Sequence, residues 1–285
     1  MSAQDMRPAG AEPGGRAGAG RPAPDQGAAP AGYEELLALV KTRRTVRAIK
    51  PDPVPDELID KMLELARWAP TGFNLQPVEY VVLKDRELRT GVKRIVDEWI
   101  ENDFYALEAT REAWQGPPWT LETRGKVACP LAPVYILITG DTRRRAGLPM
   151  NARHETPKGD SIFESSLSNV FVYLWLAAHS LGLGAQPVSA VKNARVQGLV
   201  KQFLNLPDFI YIYELLVVGY PEREGAPAAK LMRHLDEVVH NDRPGDDAFL
   251  SEEELRRQIR KLRMGNVARH QEAEEPWRTS SSSRT

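Results

Sequence analysis

Apolar positions along the chain recur with two different periods, and these periods predict both helices and strands. A helical spacing of apolar side chains begins at Tyr33 and stops before Pro51, and a second apolar stripe runs from Pro55 to Ala69. The short runs Val78 to Lys84 and Pro133 to Thr139 are rich in β-branched and apolar residues and predict strands. Helices and strands in one chain predict an α+β fold.

The longest apolar segment lies in the second half of the chain. It runs from Ile162 to Leu181, and Ser161 with Glu164 has the spacing of a capping box at its start. The predicted helix is apolar almost all round, so it must be covered on every side, at the centre of a domain or in a subunit interface. Three further elements are predicted: a helix near Asn193 to Phe203, a buried strand from Tyr211 to Gly219 and an amphipathic helix from Ser251 to Gly265.

Composition is that of a globular protein and argues against several classes of function. The 285 residues are 42% apolar, and 38 basic residues face 39 acidic ones, so no overall field recruits nucleic acid or a membrane. The single cysteine, Cys129, rules out an intramolecular disulfide, which fits a cytoplasmic location, and it is predicted to be buried and inert. We expect no metal site, because the five histidines lack close metal spacing.

The chain is predicted to hold one folded domain between two tails. Residues 1 to 32 are rich in Ala, Gly, Pro and Arg and predict a disordered tail, and residues 266 to 285 predict a flexible one. The folded domain then spans residues 33 to 265. Within it, an aromatic-rich insertion covers about residues 92 to 127.

A basic cluster follows the first predicted helix. Arg43, Arg44 and Arg47 accompany the hydroxyl of Thr45 in "RRTVRAIK". Guanidinium groups and a hydroxyl suit phosphate oxygens, but cations also favour the C-terminal end of a helix. On the cluster alone, a phosphate site and a helix cap both stay open.

A second candidate is the loop between the second predicted helix and the first predicted strand. In "APTGFNLQPVEYVV", the backbone near Gly72 and the amides of Asn74 and Gln76 could hydrogen-bond the edge of a flat heteroaromatic ring. An ordinary connection between helix and strand explains the same residues equally simply.

Four blocks in this order resemble the FMN-dependent nitroreductase superfamily. They are "RRTVRAIK", "VPDELIDKMLELARWAPTGFNLQPVEYVVLKD", "SLSNVFVYLWLAAHSLGLGAQPVSAV" and "LLVVGYPEREGAPAAKLMRHLDEVVH". The resemblance covers roughly Tyr33 to Asp242. It implies a domain-swapped homodimer of α/β/α sandwiches, each with a mixed, mostly antiparallel central sheet, and two FMN molecules bound at the subunit interface.

The resemblance also implies a set of cofactor-binding residues. Arg43 would contact the FMN phosphate, Arg47 would lie near the pyrimidine edge of the ring, and backbone near Ser189 and Ala190 would face flavin N5, with no side chain identified as catalytic. Arg233, with Lys230 as a weaker candidate, would complete the phosphate site. The other expected contacts are Arg44, Thr45, Pro70, Thr71, Gly72, Asn74, Gln76, Gln186, Pro187 and Val188.

The aromatic-rich insertion lies where similar proteins carry a substrate lid. Trp99, Tyr105, Trp114 and Trp119 could stack on an aromatic substrate, or they could anchor the insertion to the core. The sequence also departs from the family pattern: Val78 stands where many relatives have tryptophan.

The function implied by the resemblance is hydride transfer from NADH or NADPH through FMN to a nitroaromatic, a quinone or a similar flat electrophile. Ping-pong kinetics would follow. Alternatives are a reductive dehalogenase, a dimethylbenzimidazole synthase that consumes its own flavin, and a flavin-binding protein without catalysis. A nucleic-acid adaptor is disfavoured by the net charge of -1.

Overall fold

The computed structural model describes residues 31–116, 118, 129–222, 232–245 and 248–262. The chain divides into two units, Met1–Ala38 and Leu39–Thr285. The helices are α1 (Ala31–Thr42), α2 (Asp56–Ala66), α3 (Arg86–Trp99), α4 (Tyr105–Ala109), α5 (Met150–His154), α6 (Thr156–Ser180), α7 (Ala194–Phe203) and α8 (252–262). The strands are β1 (Val78–Leu83), β2 (Val134–Asp141), β3 (Gly184–Val188) and β4 (Ile210–Gly219). Of the predicted disordered tail, residues 1 to 32, only Ala31 and Gly32 are described, and they form the start of α1. The predicted tail 266 to 285 lies outside the described residues.

The four described strands form one sheet in the order β1-β2-β4-β3, and every neighbouring pair is antiparallel. All eight residues of β2 are buried, as expected for an apolar strand covered on both faces. The register between β2 and β4 shifts after Ile138, which pairs with Glu214, whereas Thr139 pairs with Ile212. Tyr213 is therefore the extra residue of a β-bulge.

Helices cover both faces of the sheet and complete an α/β/α sandwich. Helices α2 and α6 pack on one face, and α3 and α7 pack on the other. Successive residues of a strand point to opposite faces, so Ile136 and Ile138 of β2 pack in the core under α2 and α6, and Leu137 packs in the core under α3 and α7. Burial of each such side chain contributes about 1.5–3 kcal/mol. The predicted α+β fold is confirmed.

Two local features differ from the sequence analysis. No strand was predicted directly after the long helix, but Gly184–Val188 is strand β3, because its backbone pairs along β4. The capping box is also wrong, since α6 begins at Thr156 and Ser161 lies inside it. Pro157 fits the first helical turn, because backbone N–H groups there have no acceptor within the helix. The helix therefore starts earlier than the apolar pattern does.

The first part of the predicted insertion belongs to the core. Helix α3 begins at its N-cap Asp85, whose side chain accepts a hydrogen bond from the backbone of Leu88 at 2.9 Å. Val92 and Val96 on this helix are fully buried, and a π-helical turn, Ile100–Phe104, follows directly. None of the described helices combines the length and apolarity needed to cross a membrane.

A substitution at Gly184 tests how closely the chain after α1 approaches β3. An added Cβ would lie 2.7 Å from Cγ1 of Val46, so Gly184→Ala is expected to lower the free energy of unfolding by about 1–3 kcal/mol. Gly198→Ala in exposed helix surface is the matched control, with open space around the new Cβ and an expected gain of about 0.5–1 kcal/mol. Urea denaturation measures both, and equal effects would contradict the close approach.

Candidate functional site

The arginine segment (residues 43–47) lies against the edge of the sheet. Thr45 forms a parallel bridge with Ala185 of β3, and the backbone N–H of Val46 donates to the carbonyl of Ala185 at 3.0 Å. Gly184 makes this approach possible, because it has no side chain to meet Val46. The first and third blocks of the sequence are therefore neighbours in space.

Arg43 is held in an unusual environment for a cation. Its guanidinium lies over the ring of Trp175, 3.8 Å from the ring centroid. Its Nη1 is buried and has no hydrogen-bond partner among the described residues. Burial, and secondarily the charge of Arg44, lower the pKa of Arg43. A buried donor of this kind is costly without an acceptor, so the group is suited to an anion.

The other arginines of the segment have different roles. Nη1 of Arg44 donates to the carbonyls of Lys41 and Arg43 at 2.6 and 2.8 Å, which caps the end of α1 as the simpler interpretation predicted. Arg47 is exposed as a residue, although the protein atoms around its guanidinium lower its pKa by desolvation. The three arginines thus differ: Arg44 is a helix cap, Arg47 is exposed, and Arg43 is half-buried with one nitrogen unpartnered among the described residues.

The amide loop (residues 70–77) has strained backbone. Phe73, Asn74 and Gln76 have φ angles of 53°, 51° and 45°, in the left-handed region, which Asn adopts more readily than Phe or Gln. The amide groups of Asn74 and Gln76 bond to each other at 3.0 Å, and the N–H of Gln76 donates to Thr71 Oγ1 at 3.1 Å. Strain of this kind concentrates at binding and catalytic sites.

Within one chain, the amide loop and Arg43 contact different turns of α6. The N–H of Gly72 donates to Ser166 Oγ at 3.0 Å, and Asn169 Nδ2 donates to the carbonyl of Pro70 at 2.9 Å. Arg43 instead packs on Trp175, further along the helix. At 1.5 Å per residue, Ser166 and Trp175 lie roughly 14 Å apart along the axis. Within one chain, the two predicted cofactor-binding elements therefore lie against different turns of α6.

A cavity of about 220 Å³ opens beside β3. Gln186 is 7% exposed in its wall, and its Oε1 has no hydrogen-bond partner within the described part of the chain. Predicted site residues and a predicted lid residue thus share one cavity of aromatic and apolar character. The lining residues are Trp99, Ile100, Phe104, Cys129, Gln186, Pro187, Val188, Ser189 and Ala190.

The four predicted lid residues have different positions. Trp99 lines the cavity, whereas Tyr105 packs against Phe104 with ring centroids 5.4 Å apart. Trp114 bonds Glu112 through its indole N–H, and Arg256 of α8 lies over its ring. These contacts of Tyr105 and Trp114 are anchoring contacts within the protein. Trp119 lies outside the described residues.

Cys129 lies in the cavity wall, but its thiol has low reactivity. The thiol is buried, and desolvation raises its pKa to about 12. Its sulfur is 3.5 Å from the hydroxyl of Tyr135, which donates to the carbonyl of Pro130 at 2.7 Å. A buried thiol with a raised pKa has little thiolate at neutral pH and is a weak nucleophile, which agrees with the prediction of inert burial.

Glu214 is a feature of the site that the sequence did not predict. This carboxylate on β4 is 3% exposed, accepts from Ser189 Oγ at 3.0 Å and lies 3.3 Å from Lys192 Nζ. Burial raises its pKa, and the charge of Lys192 and the hydrogen bond from Ser189 oppose that rise. The available signal was a lone acidic residue in the apolar strand "YIYELLVVG".

The described interactions of Arg233, the predicted C-terminal phosphate contact, are with Glu237 and not with the arginine segment. Arg233 is exposed, its Nη2 donates to the carbonyl of Glu237 at 2.6 Å, and its Nε lies 3.5 Å from the Glu237 carboxylate. Lys230 lies outside the described residues. The phosphate-binding roles of Arg233 and Lys230 stay predictions.

Comparison with known proteins identifies similar sequences across most of the folded chain. A protein-family model, the Nitroreductase family, matches residues 40–220. Iodotyrosine deiodinase 1 of Rattus norvegicus is 27% identical over 208 residues, which cover 72% of this chain and 69% of the relative. The FMN reductase (NAD(P)H) of Bacillus subtilis is 24% identical over 228 residues, covering 78% of this chain and 77% of the relative.

A solved structure supports the same comparison in three dimensions. Oxidized iodotyrosine deiodinase bound to FMN and 3-iodo-L-tyrosine superposes with a TM-score of 0.53 at 25% sequence identity. The match covers 70% of this chain and 98% of that one. The agreement in fold therefore extends over nearly the whole of the solved deiodinase chain.

The pH dependence of stability tests the environment of Glu214. Its folded pKa is raised, so the folded state binds this proton more tightly than the unfolded state, and the free energy of unfolding falls as pH rises above about 4.5. Glu214→Gln lacks this loss, so its stability relative to the wild type is expected to rise with pH. Urea denaturation between pH 4 and pH 8, on the order of one measurement per unit, checks this.

Lys192→Met provides the opposite change in the same series. It removes the ammonium that favours the ionised carboxylate, so the fall in stability with pH should become steeper. A constant difference between wild type and Glu214→Gln at every pH would show that the carboxyl titrates normally.

Proposed function

The chain belongs to the nitroreductase family, and from this premise we propose that it is an FMN-dependent oxidoreductase. The electron donor would be NADH or NADPH, and the acceptor a nitroaromatic, a quinone or a similar flat electrophile. Bound FMN would supply the redox chemistry, with hydride taken up at N5 and then passed to the second substrate in ping-pong order. The names of the FMN reductase and of the FMN-bound deiodinase structure support this choice of cofactor and donor.

The observation that carries the proposal is the buried Nη1 of Arg43, which has no hydrogen-bond partner among the described residues. A guanidinium nitrogen that has lost water without gaining an acceptor fits the phosphate of FMN, which offers several oxygens and a fixed negative charge. Thr45, held by its bridge to Ala185, has a hydroxyl close by in sequence for the same phosphate. We assign Arg43 and Thr45 to the phosphate and regard Arg44 mainly as the cap of α1.

The strand and turn from Gln186 to Ala190 would hold the flavin ring. Gln186 has an unpartnered Oε1, which suits a ring N–H donor, and the backbone near Ser189 and Ala190 would donate toward N5. Arg47 would place a non-titrating cation at the pyrimidine edge, where reduced flavin carries negative charge. These groups bind and orient, and no side chain is required as a general acid or base.

A domain-swapped homodimer would complete each site. Helix α6 was predicted to be covered on every side, yet Val172 is 45% exposed in the described chain, and Phe171 and Trp175 are half-buried. In one chain, the amide loop and Arg43 contact different turns of α6. We therefore propose that the loop of a second chain covers the flavin bound by the first.

Reductive dehalogenation of a halogenated phenol is a second candidate. It is favoured by the similarity to iodotyrosine deiodinases, one of which is solved with 3-iodo-L-tyrosine.

We also propose a cytoplasmic location, because a chain with a single cysteine forms no intramolecular disulfide, which fits a reducing compartment.

The cofactor and donor can be tested on purified protein. We expect a yellow protein with flavin absorbance, or a colourless one that becomes yellow with added FMN, and bleaching by NADH or NADPH under argon. Addition of a nitroaromatic, a quinone or a halophenol to the reduced protein should then restore the colour of oxidised flavin with one acceptor class fastest. Protein that binds FMN but is not bleached by either nicotinamide is a flavin-binding protein without this activity.

Arg43→Met tests the phosphate assignment. Loss of one charge-assisted interaction should raise the dissociation constant for FMN about 10- to 100-fold while riboflavin, which lacks the phosphate, binds as to the wild type. Arg67→Met is the matched control, because Arg67 also lies over a tryptophan, Trp68, but is exposed and bonded to Glu64. Equal loss of FMN and riboflavin binding would contradict the assignment.

A further inference from the structure

One buried carboxylate fastens both ends of the turn that follows β3. The turn is a single 3₁₀ turn, Ser189–Lys192. Its first residue donates to Glu214 Oε2 at 3.0 Å, and its last residue places Nζ 3.3 Å from the same oxygen. Ser189 and Ala190 of the turn line the cavity, whereas Glu214 lies behind them on β4. The position of the cavity wall therefore depends on this carboxylate.

The β-bulge explains why a carboxylate can lie here. Tyr213 is the extra residue of the bulge, and Glu214 follows it directly. The side chain of Gln197 on α7 fixes the bulge, because it donates to the carbonyl of Ile212 at 3.4 Å and accepts from its N–H at 3.3 Å. Lys192 Nζ lies 4.1 Å from the ring centroid of Tyr213, so the bulge supplies two contacts to the ammonium.

The cost of this arrangement suggests more than a role in folding. Glu214 Oε1 is buried and has no hydrogen-bond partner in the part of the chain that the structure describes. A buried ion pair rarely gains stability over apolar residues of the same volume, and an unsatisfied oxygen makes the balance worse. A strand position that could hold valine or leucine instead holds a charge, next to the turn that faces the proposed flavin.

We propose that Glu214 and Lys192 are a positioning pair that holds the Ser189–Lys192 turn and sets the relative affinity of the site for oxidised and reduced flavin. The inference rests on the proposed function. Reduced flavin carries additional negative charge, so the carboxylate disfavours it and the ammonium favours it. The two groups act on the ring through the backbone of Ser189 and Ala190 and through their charges.

Opposite charges give the test its sign. Glu214→Gln keeps an acceptor for Ser189 but removes a negative charge, so the ratio of the dissociation constants for oxidised and reduced FMN should rise about tenfold. Lys192→Met removes a positive charge, and the same ratio should fall about tenfold. Ser189→Ala removes the hydrogen bond to Glu214 without a change of charge, so the ratio should change less than in either charge variant, and the change measures what the position of the turn alone contributes.

Two measurements on the full-length protein separate positioning from simple structural support. Oxidised FMN is titrated in air and dithionite-reduced FMN under argon, at about pH 8.5 where the carboxyl group is more fully ionised. Amide hydrogen exchange of the segment 189–192 is followed without cofactor, and it should be faster in all three variants than in the wild type. A purely structural role would weaken both forms of FMN alike and leave the ratio unchanged.

Failure of the proposed function can be distinguished from failure of this inference. If the wild type binds neither form of FMN, the proposed function is wrong and this inference falls with it. If the wild type binds FMN but Glu214→Gln and Lys192→Met shift the ratio in the same direction or not at all, the inference alone is overturned. Unchanged hydrogen exchange in Glu214→Gln would overturn the claim that the carboxylate holds the turn.

Discussion

The site depends on the pairing of the arginine segment with the edge of the sheet. The hydrogen bond from the Val46 N–H to the Ala185 carbonyl fixes the direction of the chain after α1, and Gly184 leaves the space for it. This pairing covers the open edge of β3, which would otherwise expose unpaired backbone groups. It also fixes where Arg43 leaves the backbone, beside Trp175 on α6. If the arginine segment were displaced, the hydrogen bond to the edge of β3 and the position of the Arg43 guanidinium would both be lost.

Three residues of the segments proposed to form the site carry a buried polar atom without a hydrogen-bond partner in the described part of the chain. Arg43 Nη1, Gln186 Oε1 and Glu214 Oε1 are all buried and unsatisfied among the described residues. They come from the segment after α1, from β3 and from β4, so no single stretch of chain explains them. Each is destabilising in the isolated chain, and a protein retains such groups where a ligand or a reaction needs them. The donor and the two acceptors differ in charge, which suits a ligand with an anionic group and a polar ring.

Helix α6 sets the distances within the site. It contacts the amide loop near Ser166 and Asn169 and the arginine segment near Trp175, on one continuous rod. The amide loop and Arg43 contact this helix at positions separated by roughly 9 to 14 Å along its axis. The surface of α6 around Val172 is incompletely covered, and the proposed second chain would pack there.

The sequence by itself determined the main helices, three of the four described strands and the segments that carry candidate chemistry. It did so because helical and strand periods, and the residue types at Arg43, Gly72 and Gln186, are local properties. The roles of the three arginines needed tertiary structure, since only the packing separates the cap Arg44 from the buried Arg43. Strand β3 was missed because a five-residue segment with a proline has little propensity of its own and forms by pairing along β4. Glu214 became part of the site only through a bulge and a turn far away in the chain, a contact that no local pattern encodes.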